Sequence, residues 1–159
     1  MLTELTEIWR IHESINMELL GNIPEAAFGA IPLLKDGKPG RGRDIARVFG
    51  HIYDVRMSAM RKAEKDEMTE VPVFDKGYSP TRLELEKALI ESSVAVVARL
   101  RNALTAGDVI RKRHPSVWLA YLISHESHHR GQLMLAMKQN GYTLSDPLKW
   151  GPWERWFKD

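Results

Sequence analysis

The stretch from His114 to Gly141 places the strongest constraint on how this chain folds. Its apolar residues recur at helical spacing, which predicts one long helix with a single buried face. His125 and His129 lie on that face, where a core helix ordinarily carries leucine or alanine. Pro115 suits the first turn of this helix, and the closing Asn-Gly pair is a strong stop signal.

Two histidines one helical turn apart can hold one metal ion between their imidazoles. The alternative is that each is a core polar residue, hydrogen-bonded to a neighbour. Because both lie on the inward stripe, we favour the metal site. A third ligand from another helix would make this interpretation strong.

The composition indicates one globular domain over residues 1–159, with 43% hydrophobic and 28% charged residues. A formal charge of +2 with scattered basic residues predicts no nucleic-acid partner. The lack of cysteine excludes disulfides and a thiolate of the chain's own. The N-terminal region has acidic residues and no long apolar run, so we expect no membrane association and a cytoplasmic location.

Helical periodicity predicts four helices, over residues 3–22, about 44–66, from 79–81 to a stop at Gly107, and 114–141. These predict an all-α four-helix bundle with a long first connection and a short C-terminal tail. Thr3 and Asp44 suit the caps of the first two helices. The third is capped by Ser79, or by Thr81 in a capping box with Glu84.

The connection over residues 23–43 is rich in glycine and proline, with one helical turn expected near 25–29. Arg41 and Arg43 at its end could contact an anionic ligand, although solvated arginines are commoner. Residues 67–79 contain a strand-like Val-Pro-Val-Phe run, but the proline and the short length favour a loop.

The C-terminal tail is rich in tryptophan, and Trp153 and Trp156 could share one face of a short helix. We expect the tail to cover the hydrophobic core. The alternative is an aromatic wall over a pocket.

His51, on the flank of the second helix's apolar stripe, is the candidate third ligand. If the second helix faces the fourth, His51 reaches His125 and His129, and the three imidazoles leave positions open for water and substrate. We predict one divalent ion per chain, nickel or zinc, with iron or manganese as alternatives. His12 is a further candidate ligand, but we expect it to be a polar residue at the bundle edge.

His51 and the segment HESHHRGQLML, which contains His125 and His129, resemble the DinB-like family of four-helix-bundle proteins. The resemblance extends over nearly the whole chain. It implies a metal site of these three histidines and frequent homodimers. Some relatives are transferases or isomerases that use low-molecular-weight thiols, and many have no known activity. The aromatic tail is not part of the family pattern.

The leading functional hypothesis is a metal-dependent transferase that joins a small thiol to a small electrophile. The metal would activate water or the thiol. Glu126 and Tyr53 are candidates for proton transfer, and a surface or packing role fits both equally. Arg130 is a candidate for binding a substrate carboxylate, although an exposed helix position is the commoner role.

Two alternatives stay open. One is a non-catalytic metal-binding or ligand-sensing bundle. The other is a zinc metalloprotease, because residues 125–129 spell an H-E-x-x-H motif with Glu126 as general base and Glu154 as a downstream ligand. We favour it least, since such proteases ordinarily hold the peptide against a sheet edge and no sheet is predicted.

A homodimer is expected, because the second and fourth helices carry apolar residues beyond one narrow stripe. These residues are Phe49, Met57, Leu119, Met134 and Leu135. If loop and tail residues cover this surface within one chain, the need for a partner disappears.

Overall fold

The computed structural model describes residues 1–63 and 74–157, and the regular structure of these residues is helical. The α-helices are α1 Leu2–Asn22, α2 Ile45–Ala63, α3 Arg82–Ala106, α4 Pro115–Gln139 and α5 Asp146–Glu154. The all-α class is confirmed, but the described residues form four long helices and a short fifth one. Within the long connection, residues Glu25–Ala27 form the expected turn, as a 3-10 helix. The predicted helix end at residue 66 and the strand-like run at 71–73 lie outside the described residues.

Local signals in the sequence account for most helix ends. Thr81 and Glu84 form the reciprocal capping box at the start of α3, and the Thr81 N–H donates to the Glu84 carboxylate at 2.8 Å. Asp44 caps α2 by accepting the backbone N–H of Arg47 at 2.8 Å. Gly107 ends α3 with φ 64°, a conformation that glycine adopts without strain.

The start of α1 differs from the prediction. The helix begins at Leu2 after Met1, and no side chain caps it. Thr3 therefore lies inside the first turn, where its backbone is already helical. A capping residue has to precede the first turn with extended backbone, so the predicted role of Thr3 is wrong.

The bundle has two hydrophobic clusters, one at each end. One cluster includes Ile15, Phe49, Leu89 and Leu133, and the other lies toward the start of α4 around Trp118. Every long helix also carries buried polar residues near the boundary between the two clusters. Those residues are His12 and Asn16 on α1, Arg56 on α2, Ser92 on α3, and Glu126 and Arg130 on α4.

Arg56 is fully buried and is the central member of this polar layer. Its Nε and Nη2 donate to the two oxygens of Glu126 at 2.8 and 2.7 Å, which is a bidentate ion pair. Nη2 also donates to Glu13 at 2.6 Å, and Nη1 donates to the Ser92 hydroxyl at 3.2 Å. The guanidinium lies over the Trp9 ring, 4.7 Å from its centroid. One side chain thus connects all four long helices.

The tail contributes to the core, but mainly through leucine. Leu148 of α5 and the preceding Leu144 are buried in the cluster that includes Ile15, and Trp156 packs against this cluster while half-buried. Trp150 and Trp153 are 57% and 68% exposed. The tail therefore covers the core as expected, and neither exposed tryptophan lines the clefts described below.

Part of the apolar surface invoked for a homodimer lies inside the monomer. Phe49 and Leu119 are 0% and 1% exposed, so they cannot meet a partner. Leu135 is 49% exposed, and Met57 and Met134 are half-buried. The homodimer stays a prediction, and only Leu135, Met57 and Met134 of the residues invoked for it are still accessible to a partner. Across the described ranges, every helix is too short or too polar to span a bilayer.

We expect Arg56→Gln to lower the free energy of unfolding by about 3–5 kcal/mol, because it leaves the Glu126 carboxylate buried without its charge partner. Guanidinium chloride denaturation followed by circular dichroism measures this loss. Arg101→Gln is the matched control, since Arg101 is exposed on α3 and its replacement should change stability by no more than about 0.5 kcal/mol. Equal midpoints for the two variants would contradict a central role for Arg56.

Candidate metal centre

The contact between α2 and α4 brings His51, His125 and His129 together. One ligand nitrogen from each residue lies within 4.8 Å of the others. The ring centroids of His125 and His129 are 4.5 Å apart, and His51 lies 5.3 and 4.9 Å from them. The expected facing of the second and fourth helices is thus observed, and the three histidines form a cluster that could hold a metal ion.

The spacing of the His125 and His129 nitrogens fits a single divalent ion. The Nε2 atoms of His125 and His129 are 3.1 Å apart. Two imidazole ligands about 2.1 Å from one zinc ion, at angles of roughly 90–110°, stand about 3.0–3.4 Å apart. The Nδ1 atom of His125 is buried without a partner among the described residues, so this imidazole is not committed to another hydrogen bond through that atom. The donor set therefore fits zinc or nickel.

Gln132 orients His129 within the cluster. The Nδ1 of His129 lies 2.8 Å from Gln132 Oε1, and Gln132 Nε2 lies 3.0 Å from His128 Nε2. Because the Gln132 oxygen accepts a proton from Nδ1, the lone pair of His129 is left on Nε2, facing His125. Gln132 lies on the apolar stripe of α4. Its hydrogen bond with His129 explains why a polar residue occupies this position.

The imidazoles of the cluster are held in their neutral form, which is the form that binds metal. Burial, together with the positive charge of Arg43, lowers the pKa of His51 to about 4. Burial also lowers the pKa of His125, and the neighbouring His129 adds to this effect. The pKa of His129 is lowered by burial even though its hydrogen bond to Gln132 acts in the opposite direction.

Two cavities adjoin the cluster. His51 lines a cleft of about 530 Å³ between the end of the first connection, α2 and residues 74–80. His129 lines a second pocket of about 310 Å³. Gly42 and Arg43 line both, so the end of the long connection forms their common boundary. A small molecule can therefore approach the histidines from either side of Arg43.

Glu126 does not face the cluster as a free carboxylate. It is fully buried and accepts hydrogen bonds from Arg56, from Asn16 Nδ2 at 2.7 Å and from His12 Nε2 at 2.8 Å. Burial alone would raise the pKa of Glu126, but the charge and hydrogen bonds of Arg56 outweigh it and hold that pKa far below its usual range. Glu126 is thus an ionised member of the polar layer.

His12 and Arg130 lie in the core, and this corrects two expectations. His12 is completely buried, because its ring donates to Glu126, so it is neither at the bundle edge nor in the histidine cluster. Arg130 is 7% exposed, and its Nη1 donates to Asn16 Oδ1 at 2.9 Å while Nη2 donates to Ser127 Oγ at 2.7 Å. The exposed position expected for Arg130 is wrong, since the layer around Glu126 satisfies its guanidinium.

Tyr53 and Tyr121 differ in their relation to the site. Tyr53 is 4% exposed and packs edge-on against Phe74, with ring centroids 5.5 Å apart. It stands two residues after His51, roughly 200° around the helix axis. Tyr121, which sequence reasoning missed, stacks on His125 with a centroid distance of 5.8 Å and is exposed. Its position one helical turn before His125 could have indicated this contact from the sequence.

The metalloprotease alternative finds no support in this geometry. The described residues contain no strand to hold an extended peptide. Glu126, its required base, is bound in the polar layer, and the residue that completes the cluster is His51 instead of Glu154. The H-E-x-x-H sequence arises because the face of α4 that carries His125 and His129 lies next to the face that carries the buried Glu126.

The fold and site define an all-α bundle protein with a three-histidine cluster that could hold a metal ion. The DinB family model matches residues 1–146, and the chain belongs to this family. The predicted resemblance is confirmed, and the match stops at the first residue of α5. Comparisons with curated proteins and with solved structures gave no significant match.

We expect the metal-free protein to lose stability as the pH falls from about 7 to about 5. The imidazole of His51 titrates near 6.5 when unfolded, whereas its pKa in the fold is about 4. Between these values the unfolded state binds more protons, so acid favours unfolding. Urea midpoints measured in chelator along this range test the expectation, and His51→Asn should reduce the slope. Midpoints that stay constant or rise would contradict it.

Proposed function

We propose that this DinB family protein binds one divalent metal ion through His51, His125 and His129 and transfers a low-molecular-weight thiol to a small electrophile. The observation that supports metal binding most directly is the convergence of three neutral imidazoles, with two Nε2 atoms 3.1 Å apart. Nickel and zinc are the proposed ions, since imidazole suits both.

Two features favour a catalytic role over a purely structural one. Structural zinc sites are ordinarily closed by four protein ligands, whereas the described part of the chain supplies three here. Cavities of about 530 and 310 Å³ adjoin it, so substrates have room beside the ligands. When bound, a divalent ion lowers the pKa of a coordinated water or thiol and supplies an anionic nucleophile near neutral pH.

The chain's own residues orient the site and keep its charge positive. Gln132 fixes the tautomer of His129, and Arg43 adds a positive field that favours an anionic nucleophile. The chain has no cysteine, so the sulfur has to come from a diffusible thiol. A sulfur–carbon bond forms as the thiol proton passes to solvent, and the electrophile either expels a leaving group or takes up a proton.

A non-catalytic metal-binding or ligand-sensing role is the second candidate, and the position of Glu126 favours it. Glu126 is the carboxylate next to His125 in sequence, yet Arg56, His12 and Asn16 occupy its oxygens. A transferase on this site therefore gives up the thiol proton to solvent. A sensing bundle needs no such proton acceptor.

We expect about one zinc or nickel ion per wild-type chain and loss of the ion in His51→Ala, His125→Ala and His129→Ala alike, because two imidazoles hold a divalent ion far more weakly than three. Elemental analysis after gel filtration gives the ratio. The matched control is His128→Ala, which removes an exposed imidazole from the same helix turn and should retain the metal. Full metal retention in His51→Ala would remove the third ligand from the proposal.

We expect the metal-loaded protein to form thioether products with at least one pair from a panel of small thiols and electrophiles. Rates should fall about 100-fold or more in His125→Ala, which lacks a ligand for the activating ion. Mass spectrometry of the products measures this, with a peptide substrate included to detect proteolysis. Equal rates for both proteins with every pair would reject the transferase for that panel and favour the non-catalytic alternative.

A further inference from the structure

We infer that the cleft beside His51 binds the anionic group of a small organic substrate, a carboxylate or a phosphate, while the adjoining pocket beside His129 holds the apolar part of the same molecule. This inference names the substrate class of the proposed transferase and so rests on that proposed function. It is carried by the charges of one cavity, the apolar lining of the other and their common boundary at Arg43.

The cleft is basic. Among the residues that the structure describes, four cations line it against two carboxylates, those of Asp54 and Asp75. The cations are Arg41, Arg43, Arg47 and Lys76. A cleft with an excess of one charge raises the local concentration of ligands of the opposite charge. The lining therefore favours an anion over a neutral or cationic ligand.

The cations of the cleft differ in whether a partner already occupies them. Arg47 is committed, since its Nε lies 3.2 Å from the Asp44 carboxylate and its Nη2 donates to the Gly42 carbonyl at 3.0 Å. Arg41, Arg43 and Lys76 make no side-chain hydrogen bond or ion pair with any described residue. Two guanidiniums and one ammonium are thus available to an incoming anion.

Arg43 is the cation that adjoins the histidine cluster on both sides. It lines the cleft together with His51 and the second pocket together with His129. Guanidinium presents a planar fork of donors that matches carboxylate and phosphate oxygens. A ligand anion held by Arg43 therefore stands beside the position where a metal would bind.

The second pocket supplies the opposite chemistry. Apart from Gly42, Arg43, His129 and Gln132, its lining is apolar, namely Pro32, Ile45, Val48, Leu133, Leu135 and Ala136. Leu135 is 49% exposed, which places apolar surface at the mouth of the pocket. Burying a substrate's hydrocarbon part here gains the hydrophobic free energy that a basic cleft cannot supply.

The two cavities together define the shape of the substrate. Each borders one histidine of the cluster, and both share Gly42 and Arg43. A molecule with an anion at Arg43 and a hydrocarbon group against Leu133 would place its middle beside the cluster. A short aryl or alkyl carboxylate or phosphate has this arrangement, whereas a neutral polar sugar does not.

The test uses 3-phenylpropanoate and phenyl phosphate as probes, with 3-phenylpropan-1-ol as the neutral analogue. Binding is measured by NMR titration of the full-length protein, once in chelator and once with zinc. The two anions distinguish carboxylate from phosphate recognition. We expect saturable shifts of the Gly50 and Gly77 amides and the Leu133 and Leu135 methyls with at least one anion. The alcohol should bind about fivefold more weakly or worse.

Arg43→Gln and Arg41→Gln should each weaken binding of that anion about fivefold, and Arg43→Lys should weaken it less. Both arginines are exposed, so the replacements leave the core intact. The control is Arg101→Gln, an exposed charge removal on α3 that should leave the affinity unchanged. Rising salt concentration should weaken the binding of the anion and leave the binding of the alcohol unchanged.

Equal affinity for anion and alcohol, or equal affinity in wild type and Arg43→Gln, would overturn the inference. So would the absence of binding by both anions in the two metal states. The titration in chelator does not depend on a metal site or on turnover. If the protein holds no metal while an anion binds through Arg43, only the proposed function is rejected. If the protein holds the metal and no anion binds, only the substrate class is rejected.

Discussion

The buried ion pair between Arg56 and Glu126 is the interaction on which the rest of the bundle depends. Two charges removed from water are stable only when each finds its partner and its remaining hydrogen bonds. Here the partners come from all four long helices, including Glu13 of α1 and Ser92 of α3. A small rotation or shift of any helix would leave a buried charge without a partner. The polar layer therefore sets the register of helices that the two hydrophobic clusters alone would hold less specifically.

The same layer explains how α4 serves two sites at once. Glu126 and Arg130 point into the bundle, where they complete the polar layer, while His125 and His129 point toward α2 and His51. The two pairs are offset by one residue, so each follows the four-residue spacing of one helix face. By anchoring α4 through Glu126, the layer also places the neighbouring imidazoles. The carboxylate in the H-E-x-x-H run thus stabilises the scaffold that carries the histidine cluster.

The long first connection gives the site its chemical character. A three-histidine cluster between two helices could hold a metal ion, but it does not select a substrate. Gly42 and Arg43 come from the end of the connection and divide the space beside the cluster into a basic cleft and an apolar pocket. A short, regular loop would close the bundle without reaching this position. The end of the first connection, more than the helical bundle itself, is therefore the part of the fold that would give the site substrate selectivity.

The sequence by itself determined the helical class, most helix ends and the histidine pair on α4, because periodicity, capping and i, i+4 spacing are local properties. His125 and His129 could be predicted as neighbours from one segment alone, and the third histidine followed once α2 was assumed to face α4. Only the tertiary structure decided that Arg56, His12 and Arg130 are buried. A polar residue enters a core when partners from distant segments satisfy it, and no local pattern records those partners.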